Sequence, residues 1–188
     1  MPPAPPVPPV PPAPDRELPA DEGLRALLPY GWPRDGEGCS LAIRKVDPAD
    51  EAAVRQHTEI AGSGFRAEGT PATPTELATA SRVARDPGTE LYLAWFGDTP
   101  VAGASVELHH HVAALFGLST IPAFRRRGVQ LALLVARLER AQQAGIPLAT
   151  IGSLPGMPTE RNAMRLGFRV AYTKVVLRKP EPGLERSP

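Results

Sequence analysis

The chain has 188 residues, with 21 Lys plus Arg against 20 Asp plus Glu, so its formal net charge of +1 gives no global field to attract a polyanion or an anionic membrane. Its 24 Pro and 17 Gly are unevenly spread, nine of the prolines standing in residues 1–14, and the remainder is long enough and ordinary enough to fold as one domain. Cys39 is the single cysteine, which excludes an internal disulfide framework and a cysteine-based zinc site.

Residues 1–19 read as polyproline II, a stiff spacer or a ligand for SH3-like or WW-like domains. They lack the basic start and helical apolar core of an export signal, so the expected location is the cytoplasm. No apolar run approaches the ~18 residues that a spanning helix needs. Asp21 to Leu28 suits a short helix and Pro29 to Gly38, around Trp32, a loop; this stretch either docks on the domain or hangs free. Residues 1–39 are thus expected as a Pro-rich disordered arm and loop, 40–178 as the folded domain, and 179–188 as a disordered tail.

Within the domain, Leu41 to Val46 alternates as a strand does. Asp50 suits an N-cap for a helix over 52–60, and Ala61 to Pro74 is a connection rich in Gly and Thr. A second helix over 74–84 is opened by Thr73 or Thr75. Glu90 to Phe96, Val101 to Leu108 and Val112 to Thr120 are three consecutive alternating runs, the first two joined by hairpin chemistry. From Val129 the period changes to that of a helix, with Leu131, Leu134, Val135 and Leu138 on one face and Gly145 as its cap. Leu148 to Gly152 is a short strand that the intervening helix makes parallel to Val112–Thr120. Thr159 is expected to cap a helix over 160–166, and Phe168 to Leu177 is expected as the last strand. The result is an α+β sandwich around a mixed, mostly antiparallel sheet.

A strand that enters a basic, Gly-containing turn and then a helix presents backbone amides at the positive end of the helix dipole, an arrangement suited to phosphate. Arg126, Arg127, Gly128, Val129 and Gln130 supply such amides, and Gly128 allows close approach of a ligand to the backbone. A solvated surface turn is the alternative at this stage. No basic stripe with interleaved aromatics extends the patch, so nucleic acid is not an expected partner. His109, His110 and His111 are consecutive and point alternately to opposite faces, so no metal is expected there.

The stretch from Leu118 through Arg125-Arg126-Arg127-Gly128-Val129-Gln130 to Leu133-Leu134 resembles the acetyl-CoA-binding motif of the GNAT superfamily of N-acetyltransferases. The family's second hallmark, a short helix closed by Gly-Phe, resembles Asn162 to Phe168. The order of elements from Leu41 to Leu177 is similar to the GNAT fold, including its V-shaped splay between the fourth and fifth strands, for which Gly117 marks the bulge. The resemblance implies transfer of an acetyl group from acetyl-CoA, as co-substrate and without a metal, directly to a primary amine of a small molecule or protein, by a monomer or homodimer. It implies cofactor contacts at Leu118, Ser119 and Thr120 beside the pantetheine, at Arg125 to Gln130 around the pyrophosphate, and at Asn162. Gln130 departs from the family, which favours Gly or Ala there.

Glu107, near the end of its strand, is the candidate base, on the expectation that partial burial lifts its carboxyl toward neutrality; a solvent-facing strand-end charge is the other reading. Many members carry a tyrosine acid four residues before the Gly of Gly-Phe. That position is Ala163 here, which leaves Tyr172 as the alternative acid or as a residue packed on the core. A non-catalytic CoA-binding module and an adaptor built on the Pro-rich arm are the competing functional readings.

Overall fold

The computed structural model describes residues 24–175; the expected polyproline arm and the tail from 179 lie outside the described residues. Nine elements follow the order read from the sequence: β1 (Ala42–Lys45), α1 (Glu51–Gly62), α2 (Pro74–Ala84), β2 (Thr89–Phe96), β3 (Thr99–His109), β4 (Val112–Thr120), α3 (Val129–Gln143), β5 (Leu148–Ile151) and α4 (Pro158–Arg165). The sheet runs β1-β2-β3-β4-β5. Its pairs are antiparallel except β4 with β5, which the α3 crossover makes parallel. This is the α+β sandwich expected, with an open mixed sheet.

Local chemistry sets the helix starts. Asp50 accepts from the Ala53 amide at 3.0 Å, which satisfies one of the orphan donors of α1. Of the two threonines proposed for α2, Thr73 is the cap: its hydroxyl accepts from the Glu76 amide while the Glu76 carboxylate accepts from the Thr73 amide, a reciprocal capping box. Thr159 is not a cap. α4 starts at Pro158 with Met157 at the cap position and no side-chain hydrogen bond there, which places Thr159 inside the first turn, its hydroxyl accepting from Gln130 Nε2 at 3.0 Å.

Helices cover both faces. Val54 of α1 and Ala84 of α2 pack on Leu91, Leu93 and Val46 on one side. On the other, Leu131, Leu133, Leu134 and Val135 of α3 pack on Tyr92, Ala94, Ala104, Val106 and Leu115 in a larger core. Fully burying such a side chain contributes about 1.5–3 kcal/mol, so the α3 face is the main source of stability. Leu24, which opens a 3₁₀ turn at Leu24–Leu27, and Leu28, which follows it, belong to that same core. Trp32 donates its indole N–H to the Leu41 carbonyl at 2.7 Å and Arg25 pairs with Glu139 at 2.9 Å. The segment left open by the sequence therefore docks on the domain.

Glu90 of β2 places a buried carboxylate on the α3 side. It accepts from Arg140 Nη2 at 2.9 Å, from Lys45 Nζ at 3.0 Å and from the Tyr92 hydroxyl at 2.5 Å. Burial alone pushes the carboxyl up, but Arg140, Tyr92 and Lys45 together hold it at about 2.

The expected last strand is corrected. Residues 168–175 adopt no regular structure and join no strand ladder, and residues 176–177 lie outside the described residues. Val170, Tyr172 and Val175 are exposed. Alternation of apolar residues records the face a strand can bury; it does not supply the neighbouring edge whose backbone groups a ladder requires.

Candidate functional site

The two candidate halves of the site meet where β4 ends. Pairing of β4 with β3 continues to Thr120 opposite Ala102, whereas pairing with β5 stops at Leu115 opposite Ile151. From Phe116 to Thr120, β4 therefore has a strand neighbour on one side only among the described residues, which opens the splay. A bulge sets the divergence: the register with β3 shifts between Gly103 and Ser105, opposite Gly117, whose φ of +60° suits glycine.

Beyond Thr120 the chain makes a 3₁₀ turn and enters α3 through Gly128, at φ +78°, with no side-chain cap. Among the described residues, the amides of Arg126 to Leu131 find no acceptor. Arg125, Arg126 and Arg127 are exposed around this row; Arg125 Nε donates to the Thr120 carbonyl at 3.1 Å and Arg127 stacks 5.1 Å over Phe124. A Cβ added at Gly128 meets only Pro33, at 3.5 Å, so the approach to the backbone is open. Unpaired amides, a helix dipole and three exposed arginines share this one turn, a fit for a pyrophosphate.

Across from this turn, Asn162 Nδ2 donates to Gln130 Oε1 at 2.6 Å and Arg165 donates to Asn162 Oδ1 at 3.2 Å. Gln130 thus joins the phosphate turn to α4. Along β4, the Ser119 hydroxyl is taken up by Ser63 at the end of α1, 3.3 Å away, while Thr120 Oγ1 is buried without a partner. Leu118 is half-buried. Ile121 donates its amide to Val101 on the β3 side, so by alternation Ser119 turns its backbone groups to β3 while Leu118 and Thr120 turn theirs to the splay.

The candidate acid and base stand apart from the turn. Glu107 lies opposite Ala114, three residues before Gly117 and hence ~10 Å along the strand. Its side chain is 38% exposed and pairs with His109 at 3.1 Å, so the burial invoked for it is largely missing. Tyr172 is 79% exposed and packs on no core. Ala163, at the position of the family's tyrosine, is buried. His110 and His111 lie on the exposed hairpin turn with His109, and among the described residues no three His, Cys, Asp or Glu side chains converge to hold a metal. No helix among them is long and apolar enough to cross a membrane.

Two buried polar residues near the bulge escaped the sequence reading. His57 of α1 donates through Nε2 to the Ala104 carbonyl at 3.1 Å, and burial lowers its pKa despite that bond. Arg137 of α3 has no exposed surface; its Nη1 donates to the carbonyls of Ser105 at 2.8 Å and Phe116 at 3.2 Å. Helical periodicity weighs apolar positions and is blind to a buried arginine, so no signal in the pattern marks it.

The profile of the acetyltransferase (GNAT) family matches residues 54–168. No curated protein matches. Among solved structures, AAC(6')-Iy in complex with a bisubstrate analog is similar at 18% identity and a TM-score of 0.60, covering 74% of this chain and 98% of that one. An acetyltransferase of Trypanosoma brucei is 20% identical with a TM-score of 0.58, covering 74% of this chain and 100% of that one. A predicted acetyltransferase with acetyl-CoA from Clostridium acetobutylicum is 13% identical with a TM-score of 0.58, covering 73% and 96% respectively.

Proposed function

The chain belongs to the acetyltransferase (GNAT) family, and on that premise we propose that it transfers an acetyl group from acetyl-CoA directly to a primary amine. The observation that carries this reading is the row of unpaired amides from Arg126 to Leu131 at the open, arginine-ringed start of α3. These amides and Arg125 to Arg127 hold the pyrophosphate, with Gly128, Val129 and Gln130 at closest approach. Leu118, Ser119 and Thr120, paired with β3 but open on the β5 side, hydrogen-bond the pantetheine strand-fashion, and the buried Thr120 hydroxyl gains a partner. Asn162 contributes its free amide hydrogen from α4.

Acetyl-CoA supplies an activated acyl carbon and a thiolate leaving group, whose ordinary pKa of ~8.5 makes departure near neutrality feasible. The backbone at the β4 bulge stabilises the negative charge that gathers on the carbonyl oxygen during attack. Glu107 is the only carboxylate on β3 and β4; from its distance it accepts the amine proton through water. No side chain is assigned to protonate the thiolate, since Ala163 carries no acid and Tyr172 is turned out to solvent.

That missing acid favours a second reading, a module that binds CoA without turnover. Calorimetric titration with acetyl-CoA, beside a phosphate-matched adenosine nucleotide, tests the shared premise, and turnover across an amine panel separates the two. Selective binding with turnover supports the enzyme; selective binding with none supports the module. Equal binding of both ligands reduces the turn to simple anion capture. Gly128→Asp places a side chain and a negative charge at the phosphate approach and is expected to weaken binding about tenfold or more, about 1.4 kcal/mol.

A further inference from the structure

We propose that Arg137 is a positioning residue that polarises the bulge peptide between Phe116 and Gly117, so that the Gly117 amide acts as a stronger donor to the reacting carbonyl oxygen. The inference rests on the acetyl-transfer reading above and adds a residue outside the turn, α4 and the candidate acid and base.

Arg137 sits at the middle of α3, fully buried, with no carboxylate within ion-pairing distance among the described residues. Its Nε donates back to the Leu133 carbonyl at 3.0 Å. Its Nη1 spans the two carbonyls that the bulge brings together, Ser105 on β3 and Phe116 on β4, and its Nη2 has no partner. Burial lowers its pKa to about 9, which still leaves it charged at neutral pH. A buried charge without a counter-ion is costly, and a neutral side chain could fill this space with far less desolvation. The arrangement is therefore explained by what the charge does to the backbone it touches.

Phe116 stands opposite Ser105, and since Leu108 turns its amide to Gly88 on the β2 side, alternation directs the carbonyls of Ser105 and Phe116 into the seam between β3 and β4, where the guanidinium reaches them from α3. The described chain has no cis peptide bond, so the amide of the same peptide unit, that of Gly117, points away from β3, toward the splay. On the α1 face beside it, Ser105 Oγ lies 3.3 Å from the position of a Cβ on Gly117 and 3.4 Å from His57 Nε2. A carbonyl that accepts from a cation draws electron density from its own N–H, and in a dry interior such chained hydrogen bonds strengthen one another. When the amine forms the new C–N bond and the C–S bond breaks, negative charge passes through the thioester oxygen. The Gly117 amide, backed by Arg137, meets that charge without reorganisation.

The test compares Arg137→Met, which keeps the volume and removes the charge, with Arg137→Lys, which restores it. Three quantities are read: kcat, the ratio of affinities for CoA and acetyl-CoA, and the carbonyl stretch of carbon-13-labelled acetyl-CoA bound without acceptor. In the wild type the bound stretch is expected below its value in water. In Arg137→Met it is expected to move back up, with kcat reduced about tenfold and acetyl-CoA weakened relative to CoA. CoA affinity itself is expected to stay within about twofold, and Arg137→Lys to recover much of the shift. An unshifted stretch in the wild type overturns the proposal even if Arg137→Met fails to fold. So does an Arg137→Met protein that weakens CoA and acetyl-CoA equally, the signature of a structural role. If the wild type binds neither ligand, the acetyl-transfer reading itself has failed, a result recognisable before any variant is made.

Discussion

Gln130 Oε1 accepts a 2.6 Å hydrogen bond from Asn162 Nδ2, and Gln130 Nε2 donates to Thr159 at 3.0 Å, so one side chain in the first turn of α3 grips two positions of α4. The residue that departs from the family at the pyrophosphate turn is thus the one that orients the expected pantetheine contact. With its Nδ2 pinned by Gln130 and its Oδ1 engaged by Arg165, Asn162 retains one amide hydrogen and one lone pair in a fixed direction. Gln130→Ala and Asn162→Ala are each expected to weaken CoA about three- to tenfold, and the double variant to be no weaker than the worse single, a coupling of about 1 kcal/mol. Calorimetry on the four proteins checks this. Additive losses would show that Gln130 acts on the cofactor by itself.

Glu107 yields a sharper separation of roles. Since it stands ~10 Å along the strand from the bulge residue Gly117, it can influence proton removal yet cannot touch the phosphate turn. Glu107→Gln is expected to lower kcat about tenfold or more while leaving CoA affinity unchanged. His109→Ala removes only the exposed partner of that carboxylate, 68% accessible, and is expected to leave kcat within about twofold. Steady-state kinetics beside calorimetry decide it, and an unaltered kcat in Glu107→Gln removes this residue as the base.

Leu28→Ala tests the docking of the segment before β1. Leu28 is buried in the α3-face core, so its truncation is expected to cost about 2–4 kcal/mol. Arg25→Ala breaks an ion pair whose arginine is 62% exposed, and is expected to cost under about 1 kcal/mol. Denaturant melts of both variants check the order. Equal small losses would mean that the segment contributes little to the fold.

Much of this architecture is legible in the sequence because it is written in local chemistry. Asp50 and Thr73 announce helices through caps that act within three residues, and the change of period at Val129 marks the strand–turn–helix unit. What escapes is set by contacts between distant residues. Thr159 looks like a cap, yet α4 begins one residue before it and its hydroxyl serves Gln130, 29 residues earlier. The run from Phe168 has strand-like alternation but lacks an edge to pair with in the described chain. Arg137, which the apolar periodicity of α3 passes over, is the largest fully buried side chain among the described residues, and its Nη1 donates to two carbonyls on other strands.

Glu90 ties stability to pH in a direction that its surroundings fix. Its carboxyl, ordinarily near 4.5, is held at about 2 in the folded chain. A depressed carboxyl favours the folded state in its charged form, so the contribution is complete above about pH 4.5 and is lost as pH falls toward 2. With the side chain only 7% exposed, the shift corresponds to at most about 3.5 kcal/mol. Wild-type Tm is therefore expected to drop between about pH 5 and pH 2 by several degrees more than that of Glu90→Gln. The variant keeps the shape but leaves Arg140 and Lys45 without their counter-charge, so it is expected to be less stable at pH 7 and to converge on the wild type near pH 2. Parallel Tm curves for the two proteins would place the acid sensitivity elsewhere and reduce the Glu90 cluster to packing.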